Sequence, residues 1–176
     1  AMKYGVMSNS IGTAECLVTG IEKPSFDLRL IDLGLVEHVI VSPDREYYYL
    51  FGSLWTTSAS IDWIKNIVAG KEDFSEIIKQ AEKTPPGANG VNFFPHLRFG
   101  SPPNPVLNSR GAFTGLSTDT DSSTLLRAVF EGVSLDTKHV LETMMKQLNT
   151  SYEEIFTTGG ATQNKLLLQI RSDILN

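Results

Sequence analysis

Two short runs carry glycine where a backbone could meet an anion. The first is Ser10-Ile11-Gly12-Thr13, between the extended stretches 6–8 and 16–19. It reads as a tight hairpin turn, in which Gly12 and Thr13 can aim backbone N–H groups and one hydroxyl at a phosphate. The second is Thr157-Thr158-Gly159-Gly160-Ala161, at a strand-to-helix junction. Glycine there lets a ligand approach the backbone with no Cβ in the way. The helix behind it presents unpaired N–H groups and the positive end of its dipole. Each run also has a plain structural reading. A Gly-Thr hairpin is ordinarily just a turn, and tight β-to-α turns need glycine for packing alone.

The other reactive side chains read as structural. His38, His96 and His139 are far apart in sequence and lack metal-ligand spacing. No Ser-His-Asp motif is present. Asp119, Asp121 and Asp173 fall at or near predicted helix ends, where capping and solvation account for them. Glu131 interrupts an apolar helical stripe and is assigned a buried hydrogen bond. Met144 and Met145 fill the core, and Tyr47, Tyr48 and Tyr49 are strand residues.

The chain has 176 residues, 41% hydrophobic and 20% charged, with a formal net charge of −5. That is enough for one domain with its own core. Lys and Arg are scattered, which excludes the basic stripe of a nucleic-acid surface. It leaves room for a nucleotide, whose phosphates backbone N–H groups can hold. Cys16 is the only cysteine, so no intrachain disulfide is expected, and a reducing cytoplasm fits. No apolar run is long enough to cross a bilayer, and no signal peptide is apparent. Ala1 before Met2 reads as the remnant of a cleaved tag.

These runs must be positioned by an α/β framework. After the hairpin, a polar irregular segment extends to about Asp32, then strands over 39–41 and 47–51 flank Ser42-Pro43-Asp44. A helix starting at Thr57 or Ser58 buries Ile61, Ile64 and Val68 and ends at Gly70. A second runs from Asp73 to about Lys83 and stops at Thr84-Pro85-Pro86-Gly87. A short buried strand covers 91–94, an aperiodic loop 95–110, and extended chain 111–116. A long helix over 122–149 has Asp121 or Ser122 as N-cap, with Leu126, Val129, Phe130, Val133, Val140, Leu141, Met144 and Leu148 on its apolar stripe. A strand over 154–158 then feeds the Gly159-Gly160 junction and a helix from Thr162 or Gln163 onward.

Gly111-Ala112-Phe113-Thr114-Gly115-Leu116, followed after seven residues by Thr124-Leu125-Leu126-Arg127-Ala128-Val129-Phe130-Glu131, resembles the C-terminal signature of FGGY carbohydrate kinases. That family includes xylulose, gluconate, glycerol and erythritol kinases. Thr124 departs from the polar residue usual at its position. Three further matches fall in family order. Ser10-Ile11-Gly12-Thr13-Ala14-Glu15 resembles the hairpin that contacts the ATP phosphates. Ala59-Ser60-Ile61-Asp62-Trp63 resembles the helix start that flanks the nucleotide. Thr158-Gly159-Gly160-Ala161, with Asn164 beyond, resembles the adenosine motif. Glycerol kinases often have Gly at the position of Ser58 and Gln at that of Asp62.

The resemblance implies a ribonuclease-H-like, actin-like ATPase domain: a mixed sheet flanked by helices, and incomplete. It implies ATP and Mg²⁺ as cofactors and Gly12, Thr13, Ser58, Asp62, Gly159, Gly160, Ala161 and Asn164 as nucleotide-binding residues. Thr13 would donate to the phosphates, Gly160 lie against phosphate or ribose, and Asn164 sit near the adenine. Residues 1–176 would be most of the C-terminal, ATP-side domain. The N-terminal sugar-binding domain and the catalytic Asp would lie before residue 1, and a closing strand and helix after Asn176. A carbohydrate would then bind only with the missing domain, and the isolated chain would be inactive. The alternative is a non-catalytic remnant that binds nucleotide or self-associates, with a homodimer favoured by an exposed cleft face and an incomplete sheet. No nucleic-acid or membrane partner is expected.

Overall fold

A computed structural model describes residues 5–68, 73–152 and 154–176. Ala1, Met2 and Gly70, the last expected to end a helix, lie outside these residues. The expected hairpin is formed by β1 (Met7–Ile11) and β2 (Glu15–Ile21). Both strands run longer than the apolar residues alone suggest. Their inward positions alternate strictly, but polar Asn9, Glu15 and Thr19 occupy three of them. The segment read as irregular contains a one-turn helix, α1 (Arg29–Asp32), held at its start by the Arg29 N–H donating to Asp27 Oδ1 at 2.9 Å. A second hairpin follows, β3 (Leu35–Val41) and β4 (Glu46–Leu54).

With β7 (Ile155–Thr158) these strands form a five-stranded sheet in the order β3-β4-β2-β1-β7. Every pair is antiparallel except β1–β7, which is parallel. Parallel neighbours need a crossover. Here it includes α2 (Thr57–Val68), α3 (Phe74–Lys83) and the 27-residue α4 (Ser122–Leu148). The Asp73 and Asp121 carboxylates cap α3 and α4 by accepting from the N–H groups of Ser75 and Thr124. Asn149 ends α4 in the left-handed conformation. A small sheet of β5 (Asn92–Phe94) and β6 (Ala112–Thr114) lies against α4, and the chain finishes with α5 (Lys165–Leu175).

Helix α4 organises two cores. Its first half packs Leu126, Val129, Phe130 and Val133 against Ile64, Ile77, Phe93, Leu167 and Ile170. Its second half packs Val140, Leu141 and Met144 against Met7, Leu17, Leu35 and Leu50 of the sheet. Gly132 marks its closest approach to β5: a Cβ there would lie 2.3 Å from the Phe93 carbonyl oxygen. The 95–110 loop, without helix or strand, is tied down by the Thr56 hydroxyl donating to the Pro95 carbonyl and by Gly100 N–H donating to Val106 O at 2.9 Å.

Candidate functional site

Parallel pairing puts Ser10 beside Thr158, so the turn after β1 and the junction after β7 emerge side by side. The Ala59 N–H donates to the Thr13 carbonyl at 3.3 Å and draws the first turn of α2 to the same place. A cleft of about 330 Å³ results, lined by Gly12, Thr13, Ser58, Asp62, Gly160, Ala161 and Asn164 with Ile11, Ile61 and Leu167. Seven of the eight residues singled out from sequence thus converge. The eighth, Gly159, supports the wall rather than lining it. Its φ is +110°, and a Cβ there would sit 2.3 Å from the Ile11 carbonyl oxygen.

The donors differ in detail from the sequence expectation. Gly12 N–H donates to Ala14 O at 2.9 Å, so it closes the turn and is not free for an anion. Thr13 is exposed, and its N–H and hydroxyl make no hydrogen bond among the described residues. No α-helix begins at Thr162 or Gln163. A 3-10 turn (Gly160–Gln163) comes first, fastened by the Thr162 hydroxyl donating to Gly159 O at 2.7 Å. Asn164 then caps α5, its Oδ1 accepting from Leu167 N–H at 3.1 Å. The α5 dipole therefore starts one turn away from the glycines, and the Asn164 amide NH₂ remains for a ligand. Gly160 has open space where a Cβ would stand.

Ser58 Oγ is buried without a hydrogen-bond partner among the described residues, a costly state unless something in the cleft meets it. Asp62, exposed on α2, is the one charged residue in the lining among the described residues. Among the described residues no Lys or Arg lines the cleft, so an anion there would rest on backbone N–H and hydroxyl donors. Among the described residues no group of three His, Cys, Asp or Glu side chains is placed to hold a metal ion.

Sequence reasoning missed what braces this site. Glu15 is fully buried and accepts from both Arg171 Nη atoms, from Asn9 Nδ2 at 2.8 Å and from Thr137 Oγ1 at 3.1 Å. The network joins β1, β2, α4 and α5 directly behind the Gly12–Thr13 turn. Period-two alternation from Leu17 and the helical stripe Leu167–Ile170–Ile174 were the signals that could have found Glu15 and Arg171. A second miss lies in the groove between α4 and the 95–110 loop, which brings together His96, His139 and Asp136 despite their separation in sequence. Burial pushes the Asp136 carboxyl above its usual range. A hydrogen bond with Ser101 and the nearby His96 and His139 oppose that shift, and Glu15 adds to it.

Residues 7–176 match the C-terminal domain of the FGGY family of carbohydrate kinases. The chain belongs to that family. It is 30% identical over 128 residues to xylulose kinase from Staphylococcus xylosus, covering 73% of this chain and 26% of that protein. It is 28% identical to glycerol kinase 2 from Thermotoga maritima, covering 97% of this chain and 34% of that one. Its fold superposes on the crystal structure of Plasmodium falciparum glycerol kinase with ADP at a TM-score of 0.84 and 24% identity, over 99% of this chain and 34% of that one. This FGGY chain therefore spans about a quarter to a third of the length of these relatives. Its mixed sheet flanked by helices is the actin-like ATPase fold of FGGY kinases. The signature residues themselves stand away from the cleft. Arg127 and Glu131 form an ion pair at 2.8 Å, and the Glu131 carboxylate also accepts from Gly87 N–H at 3.1 Å, the hydrogen-bonding role expected of it.

Proposed function

We propose that this chain is the ATP-side part of an ATP-dependent sugar or polyol kinase, with nucleotide bound in the cleft between the Gly12–Thr13 turn, the start of α2 and the Gly160–Asn164 turn. The observation that carries the reading is the convergence of those three segments, far apart in sequence, on one cleft. The ADP named with the related Plasmodium glycerol kinase supports the ligand class. Thr13 would donate its N–H and hydroxyl to phosphate oxygens, and Gly160 would let the phosphate chain approach the backbone. Ser58 would find its missing partner on the ligand. The Asn164 amide would donate to the adenine, and Asp62 suits ribose hydroxyls.

With no Lys or Arg in the lining among the described residues, charge neutralisation falls to Mg²⁺, an ion that binds substrate phosphates and water with few protein ligands. Asp62, suited to the ribose hydroxyls, is the one carboxylate in the lining among the described residues, so the ion would be held chiefly by the phosphates and water. When bound, the ion would draw charge from the transferring phosphoryl group. The sugar or polyol would be supplied with its binding surface and base by another part of a longer kinase.

Calorimetry of the 176-residue chain with ATP–Mg²⁺ tests this. Binding is expected, and Gly160→Val should abolish it without lowering the melting temperature. Absence of binding, or binding that Gly160→Val leaves unchanged, would overturn the reading. The chain alone should phosphorylate no pentose, polyol or sugar acid above a protein-free control.

A further inference from the structure

The groove between α4 and the 95–110 loop shares no lining residue with the cleft. Its volume of about 350 Å³ falls at the small end of the ~300–1,000 Å³ usual for ligand sites. Ala128, Gly132 and Asp136 stand four residues apart on one face of α4. The first two are small, which leaves a depression along the helix, and Asp136 stands at its end. Phe94 of β5 and Pro95, His96, Ser101 and Pro102 of the loop make the facing wall. That wall is fixed without a ligand. The Thr56 hydroxyl donates to the Pro95 carbonyl, and His96 Nδ1 lies 2.7 Å from Ser109 Oγ.

The lining combines apolar surface with polar groups short of partners. Phe94 is 48% exposed and Leu135 54%. Asp136 has the Ser101 hydroxyl as its hydrogen-bond partner, and a carboxylate can accept several more. Burial already disfavours its charged form, so an Asp136 with one protein donor is costly. The His139 ring and the Asn104 amide make no hydrogen bond among the described residues. Asn92 commits only its NH₂, to Gly90 O at 3.2 Å.

This set disfavours charged ligands. For a metal ion, no three side chains of the right type are placed among the described residues. For an anion, no Lys or Arg lines the groove among them, and Asp136 would repel it. For a cation, the nearby Glu131 is already paired with Arg127 at 2.8 Å, and His96 and His139 stand beside Asp136 as its own sources of positive charge. A neutral molecule with several hydroxyls and an apolar side meets every group. Hydroxyls donate to the carboxylate and the Asn oxygens and accept from Asn NH₂ and imidazole N–H. A C–H face covers the exposed ring of Phe94.

We propose that this groove binds one neutral sugar or polyol, with Asp136 accepting from its hydroxyls, Asn104 and His139 completing the polar contacts, and Phe94 against its C–H face. The site lies apart from the cleft, so the inference does not depend on the nucleotide reading. It is also apart from the binding surface that another part of a longer kinase would supply for the sugar to be phosphorylated.

Amide NMR of the 176-residue chain, titrated with xylitol and with D-xylose to about 50 mM, tests this. At least one of the two should give saturable shifts confined to residues 92–96, 101–104 and 131–139, with a Kd of roughly 1–10 mM. Asp136→Ala and Phe94→Ala should each weaken that binding by about tenfold or more, with the remaining amide spectrum unchanged. Phe94 is half exposed, so its variant keeps the test open even where Asp136→Ala disturbs the fold. No saturable shift with either compound would overturn the proposal, as would shifts centred on another segment. Binding that both substitutions leave unaltered would overturn the site. Tighter binding of inorganic phosphate or of n-butylamine at the same residues would overturn the ligand class.

Discussion

The two adjacent glycines of the candidate site have separable jobs. Gly159 is needed by the fold: its φ of +110° is one that L side chains rarely adopt, and the Ile11 carbonyl occupies the space of a Cβ. Gly159→Ala should cost about 1–3 kcal/mol from backbone conformation alone, more with the clash, read as a lowered denaturation midpoint. Gly160 has no atom near its missing Cβ, so Gly160→Ala should leave stability within about 0.5 kcal/mol. An effect of equal size at the two positions would contradict this division. From the Gly159-Gly160 dipeptide alone the two roles looked interchangeable, because only the β1–β7 pairing puts Ile11 against one of them.

At the scale of elements, α4 and the 95–110 loop face each other across a groove that partly buries the Asp136 carboxyl and raises its pKa. The folded protein thus holds this proton to a higher pH than the unfolded chain does. The contribution of Asp136 to stability is greatest below the ordinary aspartate pKa of about 3.9 and falls as pH rises through the folded value. Asp136→Asn should therefore raise the melting temperature at neutral pH, with the gain shrinking as the pH is lowered toward about 4. A gain independent of pH would argue for a packing effect. The elements were largely legible in sequence: α4 is found within one residue of its expected end because apolar spacing and the Asp121 cap agree. The start of α5 was not, since the 3-10 turn ahead of it carries the same polar composition as a helical first turn.

Across the whole molecule, Glu15 and Arg171 tie the hairpin, α4 and α5 into one body from positions 156 residues apart. A buried pair of this kind adds little net stability over an apolar one, but removal of one partner strands the other charge. Arg171→Met should cost about 3–5 kcal/mol, measured by urea denaturation. It should also weaken ATP binding, because Glu15 closes the hairpin whose turn lines the cleft. Unaltered stability would mean that Glu15 finds solvent or another donor in the variant.

The amino-acid sequence by itself determined most of the strands and helices, the family through its glycine-rich signature, and the residue types able to meet a phosphate. Those are properties of local spacing, and local spacing is written in the chain. Tertiary structure decided which donors remain free, which glycine is structural and which lines the cleft, and that Asp136 shares a groove with two distant histidines. It also decided that an acidic residue beginning β2 faces inward to an arginine near the end of the chain. Each of these depends on which backbone stands next to which, and that is settled by sheet order and helix packing rather than by neighbours in sequence.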